Sequence, residues 1–178
     1  MQDQVKSNRL IFIDETWVKT NMVRTHGWHA RGEPLKAHAP HGAWQTMTFI
    51  GALRSNGLTA PLVVKGAING DIFLAYVEQV LLPTLKRGDI VVLDNLSSHK
   101  NAEVAKLIRG VGARIWFLPA YSPDLNPIEQ VFSKIKRLLR KARERTFEDI
   151  CNRIAKLIRK ISPEECLRYI KNSGYGAT

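Results

Sequence analysis

Residues 10–14 read LIFID, and residues 89–94 read DIVVLD. Each stretch contains a short apolar run that ends in an aspartate, Asp14 in the first case and Asp94 in the second. A run of four or five apolar residues bounded by polar ones predicts a buried β-strand. In sheets with helices on their faces, ligands collect at the ends of the strands. The two stretches therefore predict both the centre of a sheet and a candidate site at its edge.

The rest of the chain predicts a mixed sheet with helices packed on it. The predicted elements are a hairpin of strands at 46–53 and 58–65, a helix at 72–81 ended or kinked by Pro83, a strand at 90–93, a helix at 101–109 stopped by Gly110, and a strand at 114–118. The runs at Ile90 and Ile115 are continuous, so we expect strands covered on both faces, as in a central parallel pair. Residues 17–44 are rich in Gly, His and Trp and predict turns and short strands.

The last third of the chain predicts three helices. Asn126 with Pro127 begins the first, Thr146 with Asp149 three residues later begins the second, and Ser162 begins the third. The fold class that follows is α/β, with a mixed sheet, helices on both of its faces and a helical C-terminal tail.

Composition excludes several classes of protein. The chain has 178 residues, of which 44% are hydrophobic, so it has enough apolar content for a core and is not disordered. No apolar run approaches the roughly 18 residues of a membrane-spanning helix. The N-terminus lacks the apolar region of a secretory signal, and the two cysteines form no metal-binding or disulfide pattern. We therefore expect a cytoplasmic protein without a membrane partner.

Positive charge is concentrated in one part of the chain. Lys and Arg number 27 against 16 acidic residues, which gives a formal charge of +11. Residues 130–160 alone hold eleven Lys or Arg and three acidic residues. A solvated helix face is one interpretation of such a run, but most solvated faces mix both signs. A field of one sign attracts polyanions, so the sequence favours nucleic acid as the partner.

Three acidic residues form the candidate metal site. Asp14 and Asp94 end predicted strands, and Glu129 lies in the first turn of a predicted helix after a Pro-rich loop. Two divalent ions about 3.5–4 Å apart need several carboxylates on rigid elements, and two strands and a helix supply them. Each acid also has a simpler interpretation: the two aspartates fit as caps of loops, and Glu129 fits as an N-cap acid facing the helix dipole.

The sequence motifs around these acids resemble those of a known protein family. Asp14 opens DETW, Asp94 opens DNLSSHK, and Glu129 closes LPAYSPDLNPIE, with 34 residues between Asp94 and Glu129. Over roughly residues 10–145 the chain resembles the catalytic domain of the DDE transposases, specifically the bacterial insertion-sequence branch related to mariner elements. All three carboxylates match the family's pattern.

The resemblance implies an RNase H-like fold, with Asp14 on the first strand, Asp94 on the fourth and Glu129 on a helix against the sheet. It implies two Mg²⁺ or Mn²⁺ ions held by these three catalytic residues. In the family one ion activates water or the transposon's 3′-hydroxyl, and the other stabilises the leaving oxygen. The implied activity is DNA strand cleavage followed by strand transfer, and the implied partners are double-stranded DNA at transposon ends and target and a second copy of the chain on DNA.

Several further residues are candidates for DNA contact. His99 and Lys100 follow Asp94, and a loop without a task is an equally good interpretation of them. The basic residues after Glu129 lie on one helix, so only some of them, with Lys134, Arg137 and Lys141 as candidates, are expected along the DNA path. Trp17 is a candidate for base stacking. We expect Asn126, with its neighbours Tyr121 and Ser122, to shape the loop that presents Glu129 and to have no direct catalytic role.

The sequence departs from the family at its start. Relatives usually carry an N-terminal helix-turn-helix region that recognises transposon ends, and here about nine residues precede the first strand. We therefore expect one catalytic domain over 1–178, with a core at about 9–145 and a helical tail at about 146–178. In this interpretation the recognition region is absent, or is encoded separately and joined by frameshifting. Two other functions stay open: another RNase H-like nuclease, and a non-catalytic or domesticated DNA-binding module.

Overall fold

The computed structural model describes residues 7–34, 36, 38, 40–95 and 101–176. Within this part of the chain, five strands form one mixed sheet in the order β3-β2-β1-β4-β5. The strands are β1 (Leu10–Lys19), β2 (Thr46–Arg54), β3 (Gly57–Lys65), β4 (Ile90–Leu93) and β5 (Arg114–Phe117). The helices are α1 (Gly70–Tyr76), α2 (Ala102–Gly110), α3 (Ile128–Ala142), α4 (Phe147–Ile158) and α5 (Pro163–Asn172). The α/β fold with a mixed sheet is therefore confirmed.

The sheet combines an antiparallel meander with a parallel half. Strand β1 pairs antiparallel with β2 over its whole second half, down to Lys19 opposite Thr46. On its other side β1 pairs parallel with β4, and Phe12 lies opposite Val92. Because parallel strands run in the same direction, β1 and β4 carry the chain toward the same edge of the sheet. That edge is where the two aspartates are found.

Both faces of the sheet are covered. One face packs Phe12 and Phe49 against α3, α4 and α5, and Phe132 of α3 meets the ring of Phe49 at 5.6 Å between centroids. The opposite face packs Ile11 and Val91 against α1, α2 and the turns that follow α1. Alternate residues of each strand point to opposite faces, so β1 contributes Phe12 to one core and Ile11 to the other. Helices on both faces are as expected from the sequence.

Two predicted strands need correction. Strand β1 does not end at Asp14: it continues to Lys19 because Thr16 and Val18 are buried while Trp17 is exposed, an alternation that suits pairing with β2. Strand β5 pairs parallel with β4 as expected, but it lies at the edge of the sheet. Its residues are exposed or half-buried, so the prediction that it is covered on both faces is wrong, whereas β4 is wholly buried.

Helices α4 and α5 begin where the sequence predicts. Thr146 accepts a hydrogen bond from the Asp149 backbone N–H at 3.1 Å and donates to the Asp149 carboxylate at 2.7 Å, and Ser162 caps α5. Helix α1 continues through a wider turn and ends in a 3₁₀ turn containing Pro83. Helix α2 runs through Gly110, and the residue with left-handed backbone after it is Gly112. In the described residues, no helix is long and apolar enough to cross a membrane.

Candidate active site

Two of the three predicted acids lie side by side at the sheet edge. Asp14 lies within β1, and Asp94 follows the last residue of β4. The parallel register places Phe12 beside Val92, so positions two residues further along each strand carry the aspartates. Their placement follows from the sequence, because each carboxylate comes directly after the apolar segment that fixes its strand in the core.

Glu129 reaches the same place from a helix. Helix α3 buries Val131, Phe132 and Ile135 against the sheet, and this apolar stripe fixes the rotation of the helix. Glu129 lies in the first turn of α3 and is half-buried. The loop before it contains Tyr121, whose backbone is left-handed with φ at 56° and whose ring is fully exposed. The packing of α3 therefore places Glu129 near Asp14 of β1 and Asp94 at the end of β4.

The three carboxylates line one cavity of about 320 Å³. Its other lining residues come from the loop between β5 and α3 and from the residue after Asp94; they are Asn95, Leu118, Pro119, Ala120, Tyr121, Ser122, Pro123 and Asn126. The cavity thus joins three acids that are 35 to 115 positions apart in the chain. The three acids therefore line a single cavity, and their role as metal ligands and catalytic residues stays a prediction.

Asp14 is the most deeply placed of the three. It is 8% exposed, and its two oxygens accept hydrogen bonds from the Glu15 backbone N–H at 2.7 Å and from the Asn126 side-chain amide at 2.8 Å. The pKa of Asp14 is raised to about 7: burial is the largest cause, the hydrogen bond from the Glu15 backbone opposes it, and the negative charges of Glu129, Asp94 and Glu15 add to the increase. The influence of Glu129 and Asp94 on this pKa reflects how close the three carboxylates lie.

The three carboxylates are not arranged as ligands of one metal ion in this structure. Among the described residues, no group of three His, Cys, Asp or Glu side chains is arranged to hold one metal ion. Burial is the main cause of the raised pKa of Asp14, and repulsion from the charges of Glu129 and Asp94 contributes to it. Two-ion sites do not need three acids on one ion, because the ligands are divided between two positions about 3.5–4 Å apart.

The residues present fit a hard divalent cation. The carboxylate oxygens of Asp14, Asp94 and Glu129 are the donors that Mg²⁺ and Mn²⁺ prefer. The Oδ1 atom of Asn126, a residue that lines the cavity, is buried and has no hydrogen-bond partner in the described part of the chain. A buried acceptor without a partner is costly, and such groups often mark the place of a water or an ion.

Trp17 and Lys136 extend the site on the side of Glu129. The Nζ of Lys136 lies 4.4 Å from the centroid of the Trp17 ring, and that of Lys19 lies 5.1 Å from it. Trp17 and Lys136 line a second cavity of about 400 Å³ together with Glu129. Burial lowers the pKa of Lys136, Glu129 raises it, and Arg140 lowers it. Lys136 is one of the basic residues after Glu129 that the sequence places on this helix, but its contact with Trp17 was not predicted; its position seven residues after Glu129 places both on one helix face.

The predicted DNA-contact residues fall into three groups. Arg137 and Lys141 are exposed on α3 and line a cavity of about 470 Å³ with Arg140 and with Arg24 and His26 from the segment after β1. Lys134 instead lies 2.6 Å from both carboxylate oxygens of Glu165 on α5, so its charge is already paired. That contact departs from the expectation for Lys134. His99 and Lys100 lie outside the described residues.

Arg145 fixes the segment that supplies Arg24. Its guanidinium donates to the backbone carbonyl oxygens of Thr20 at 2.9 Å and of Met22 at 3.1 Å. This ties the residues that follow β1 to the link between α3 and α4. Arg24 is therefore held beside the basic face of α3. This proximity could not be predicted from the sequence, because the two segments are more than 100 residues apart.

The fold, the three acids and the family comparison agree. A family model described as DDE superfamily endonuclease matches residues 9–151, most of the chain. The chain belongs to the DDE superfamily of endonucleases. Among proteins with curated annotation, none matches the sequence significantly.

Solved structures of one transposase share the fold. The Mos1 transposase paired-end complex with left transposon end superposes with a TM-score of 0.75 at 18% identity, covering 95% of this chain and 56% of that one. The Mos1 mariner paired-end complex with Mn gives 0.75 at 18% identity, covering 96% and 54%. The Mos1 catalytic domain with Raltegravir and Mg gives 0.72 at 16% identity, covering 96% and 80%. The fold is therefore RNase H-like, and this chain spans about half of the transposase in the paired-end complexes.

Proposed function

We propose that this chain is the catalytic domain of a transposase that cleaves a DNA strand and joins the freed end to a target. One observation carries the proposal: Asp14, Asp94 and Glu129 line a single cavity in a chain of the DDE endonuclease superfamily. Hydrolysis and strand transfer are the same in-line phosphoryl transfer with different attacking hydroxyl groups. One site therefore serves both steps.

The three acids are proposed to hold two Mg²⁺ or Mn²⁺ ions. When bound, the pair of ions would supply an activated attacking oxygen and stabilisation of the leaving oxygen. The chain's own part is to keep the carboxylates on elements that do not move: β1 and β4 are fixed by their register, and α3 is fixed by its buried stripe. Asp14 is ionised when it binds a cation, so cation binding displaces the proton that burial favours.

DNA is proposed to lie across the cavity mouth and along α3. Arg137, Arg140 and Lys141 with Arg24 form a cationic surface without an acidic residue in its lining, which suits a phosphate backbone. Lys134 is proposed to brace α3 through Glu165 in place of contacting DNA. Positive charge at these positions steers DNA of any sequence, so binding should depend strongly on salt.

Exposed rings flank the cavity and suit unpaired or distorted bases. Tyr121 is fully exposed at the cavity rim, and Trp17 is 49% exposed beside Glu129. Base stacking on an aromatic ring is tolerant of sequence and is worth about 1–3 kcal/mol per base. The Nζ atoms of Lys19 and Lys136 lie 5.1 Å and 4.4 Å from the centroid of the Trp17 ring. We propose Trp17 as a stacking platform next to the reacting strand.

The proposed partners are double-stranded DNA and a second copy of the chain. Mos1 transposase is seen in paired-end, strand-transfer and pre-cleavage complexes, and the basic surface described above suits the same kind of ligand in this chain. Bringing two DNA ends together needs two catalytic domains, so we propose a dimer assembled on DNA. Insertion-sequence transposition in a bacterial cell is the proposed setting.

The test is a cleavage and strand-transfer assay with end-labelled DNA and Mg²⁺. We expect Asp94→Asn to abolish nicking and strand transfer while leaving DNA affinity almost unchanged, because Asp94 holds cations and the basic surface holds DNA. Asp71→Asn is a matched control, since Asp71 is an exposed acid in the first turn of α1. Its variant should keep full activity.

The products separate this proposal from its rivals. Strand-transfer products identify a transposase, whereas hydrolysis alone would indicate another RNase H-like nuclease. DNA binding that needs no metal and gives no nicks would indicate a binding module. Nicking that survives in Asp94→Asn would remove Asp94 from the site and contradict the proposal.

A further inference from the structure

The Asn126 side chain is bonded on one side only. Its Nδ2 donates a hydrogen bond to the Oδ2 of Asp14 at 2.8 Å, across 112 residues of sequence. Its Oδ1 has no partner in the described part of the chain, although the residue is only 3% exposed. Leaving such an acceptor unpaired destabilises a fold, so a side chain that only shaped a loop would gain by being apolar.

The other end of the Asp14 carboxylate is also fixed. Its Oδ1 accepts the Glu15 backbone N–H at 2.7 Å, so each carboxylate oxygen receives one donor. Each oxygen keeps a further lone pair. The carboxylate plane is therefore set by two hydrogen bonds, one from its own strand and one from Asn126, before any cation arrives.

Asn126 also belongs to the cavity that holds the acids. It lines the 320 Å³ cavity with Asp14 and Glu129, three residues before Glu129. The Glu129 backbone N–H bonds to the Asn126 carbonyl oxygen at 3.2 Å, which makes Asn126 part of the turn that begins α3. One residue thus contacts Asp14 through its side chain and Glu129 through its backbone.

We propose that Asn126 is a positioning residue of the metal site, and this rests on the proposed function of the three acids. Its amide N–H holds Asp14 in the orientation that binds a divalent cation. Groups that orient metal ligands typically change metal affinity 10- to 100-fold when they are removed.

The test is Mn²⁺ binding to the purified chain without DNA, followed by the loss of the free Mn²⁺ signal in electron paramagnetic resonance. We expect Asn126→Leu to weaken Mn²⁺ binding at least tenfold. Its unfolding midpoint in EDTA should change little, because removing the orphaned Oδ1 offsets the loss of the hydrogen bond to Oδ2 of Asp14. A merely structural residue would instead lose stability and leave the affinity of the folded chain unaltered.

Asn126→Ala is the second variant, in case the larger side chain does not fit, and it should show the same loss of affinity. Asn152→Ala is the control, because Asn152 is an exposed amide on α4 and should bind Mn²⁺ like the wild type. Affinity within twofold of the wild type in both Asn126 variants would overturn the role of Asn126 alone. A wild-type chain that binds no Mn²⁺ would overturn the metal site itself.

Discussion

The ammonium group of Lys134 lies 2.6 Å from both carboxylate oxygens of Glu165, and this contact joins the helix of Glu129 to α5. Tyr169 also donates its hydroxyl to Glu165. Burial alone raises the pKa of Glu165, but the hydrogen bonds from Lys134 and Tyr169 outweigh it and hold the pKa below its usual value of 4.5. The C-terminal helix therefore braces the helix that presents the third acid.

Glu165→Ala tests this brace. We expect the variant to lose about 1–3 kcal/mol of unfolding free energy, the usual range for hydrogen bonds to a charged group, measured by urea denaturation at neutral pH. Because the pKa of Glu165 is lowered by folding, its contribution is fully present above pH 4.5 and is lost as pH falls through the lowered value. The difference between variant and wild type should shrink in acid.

Two controls accompany that measurement. Lys134→Met should destabilise less than Glu165→Ala, because Tyr169 still satisfies one carboxylate oxygen. Glu103→Ala removes an exposed acid from the opposite face of the sheet and should change stability little. Equal stability of Glu165→Ala and wild type would show that α5 does not brace α3.

The pH dependence of stability without metal tests the buried state of Asp14. Folding raises its pKa from 3.8 to about 7, so this group favours the fold most below pH 3.8 and loses that contribution as pH rises to 7. Asp14→Asn removes the titration. Relative to wild type, we expect the unfolding free energy of the variant to rise by about 2–3 kcal/mol between pH 5 and pH 8 in EDTA.

Mg²⁺ should act in the opposite direction. A bound cation favours the ionised carboxylate, so adding Mg²⁺ at pH 8 should raise the melting temperature of the wild type more than that of Asp14→Asn. In the metal-free measurement, a difference in unfolding free energy between wild type and Asp14→Asn that does not change with pH would contradict the raised pKa of Asp14.

Salt dependence tests the DNA path along α3. Each phosphate contact changes the slope of log affinity against log salt by about 0.9. We expect Lys141→Ala to reduce that slope by about one unit, as measured by fluorescence anisotropy with duplex DNA. Lys106→Ala is the matched control, because Lys106 is exposed on α2 across the sheet. If both variants reduced the slope equally, DNA would not follow a defined path along the basic surface of α3.

Trp17→Ala tests the stacking platform. Loss of one base–ring contact should weaken binding to DNA with a single-stranded end by about tenfold or more, since each stack is worth about 1–3 kcal/mol. Trp17→Phe should restore most of the affinity because it keeps a ring, and Trp17→Met should not. If the Met variant binds as well as the Phe variant, the ring itself has no role.

The sequence predicts those features of the site that depend on residues close together in the chain. Asp14 and Asp94 each follow an apolar run that forms a buried strand segment; Asp94 lies just beyond the end of β4, whereas Asp14 lies within β1. Asn126 and Pro127 indicate the start of the helix that carries Glu129. These features depend on neighbours in the chain, so the pattern alone predicts them.

Contacts between distant segments were not readable. The pairing of Lys134 with Glu165 and of Asn126 with Asp14 depends on how α5 and the loop before α3 fold back, and nothing local encodes those distances. The edge position of β5 was missed for a related reason. Its apolar sequence resembles that of β4, and only the strand order shows that no neighbour covers its outer side.

The most direct test of the central claim is a crystal structure of this chain with Mn²⁺, measured at a wavelength where manganese scatters anomalously. We expect anomalous peaks about 3.5–4 Å apart, bound by the carboxylates of Asp14, Asp94 and Glu129. Well-ordered carboxylates with no manganese between them, or manganese held only at other residues, would contradict it.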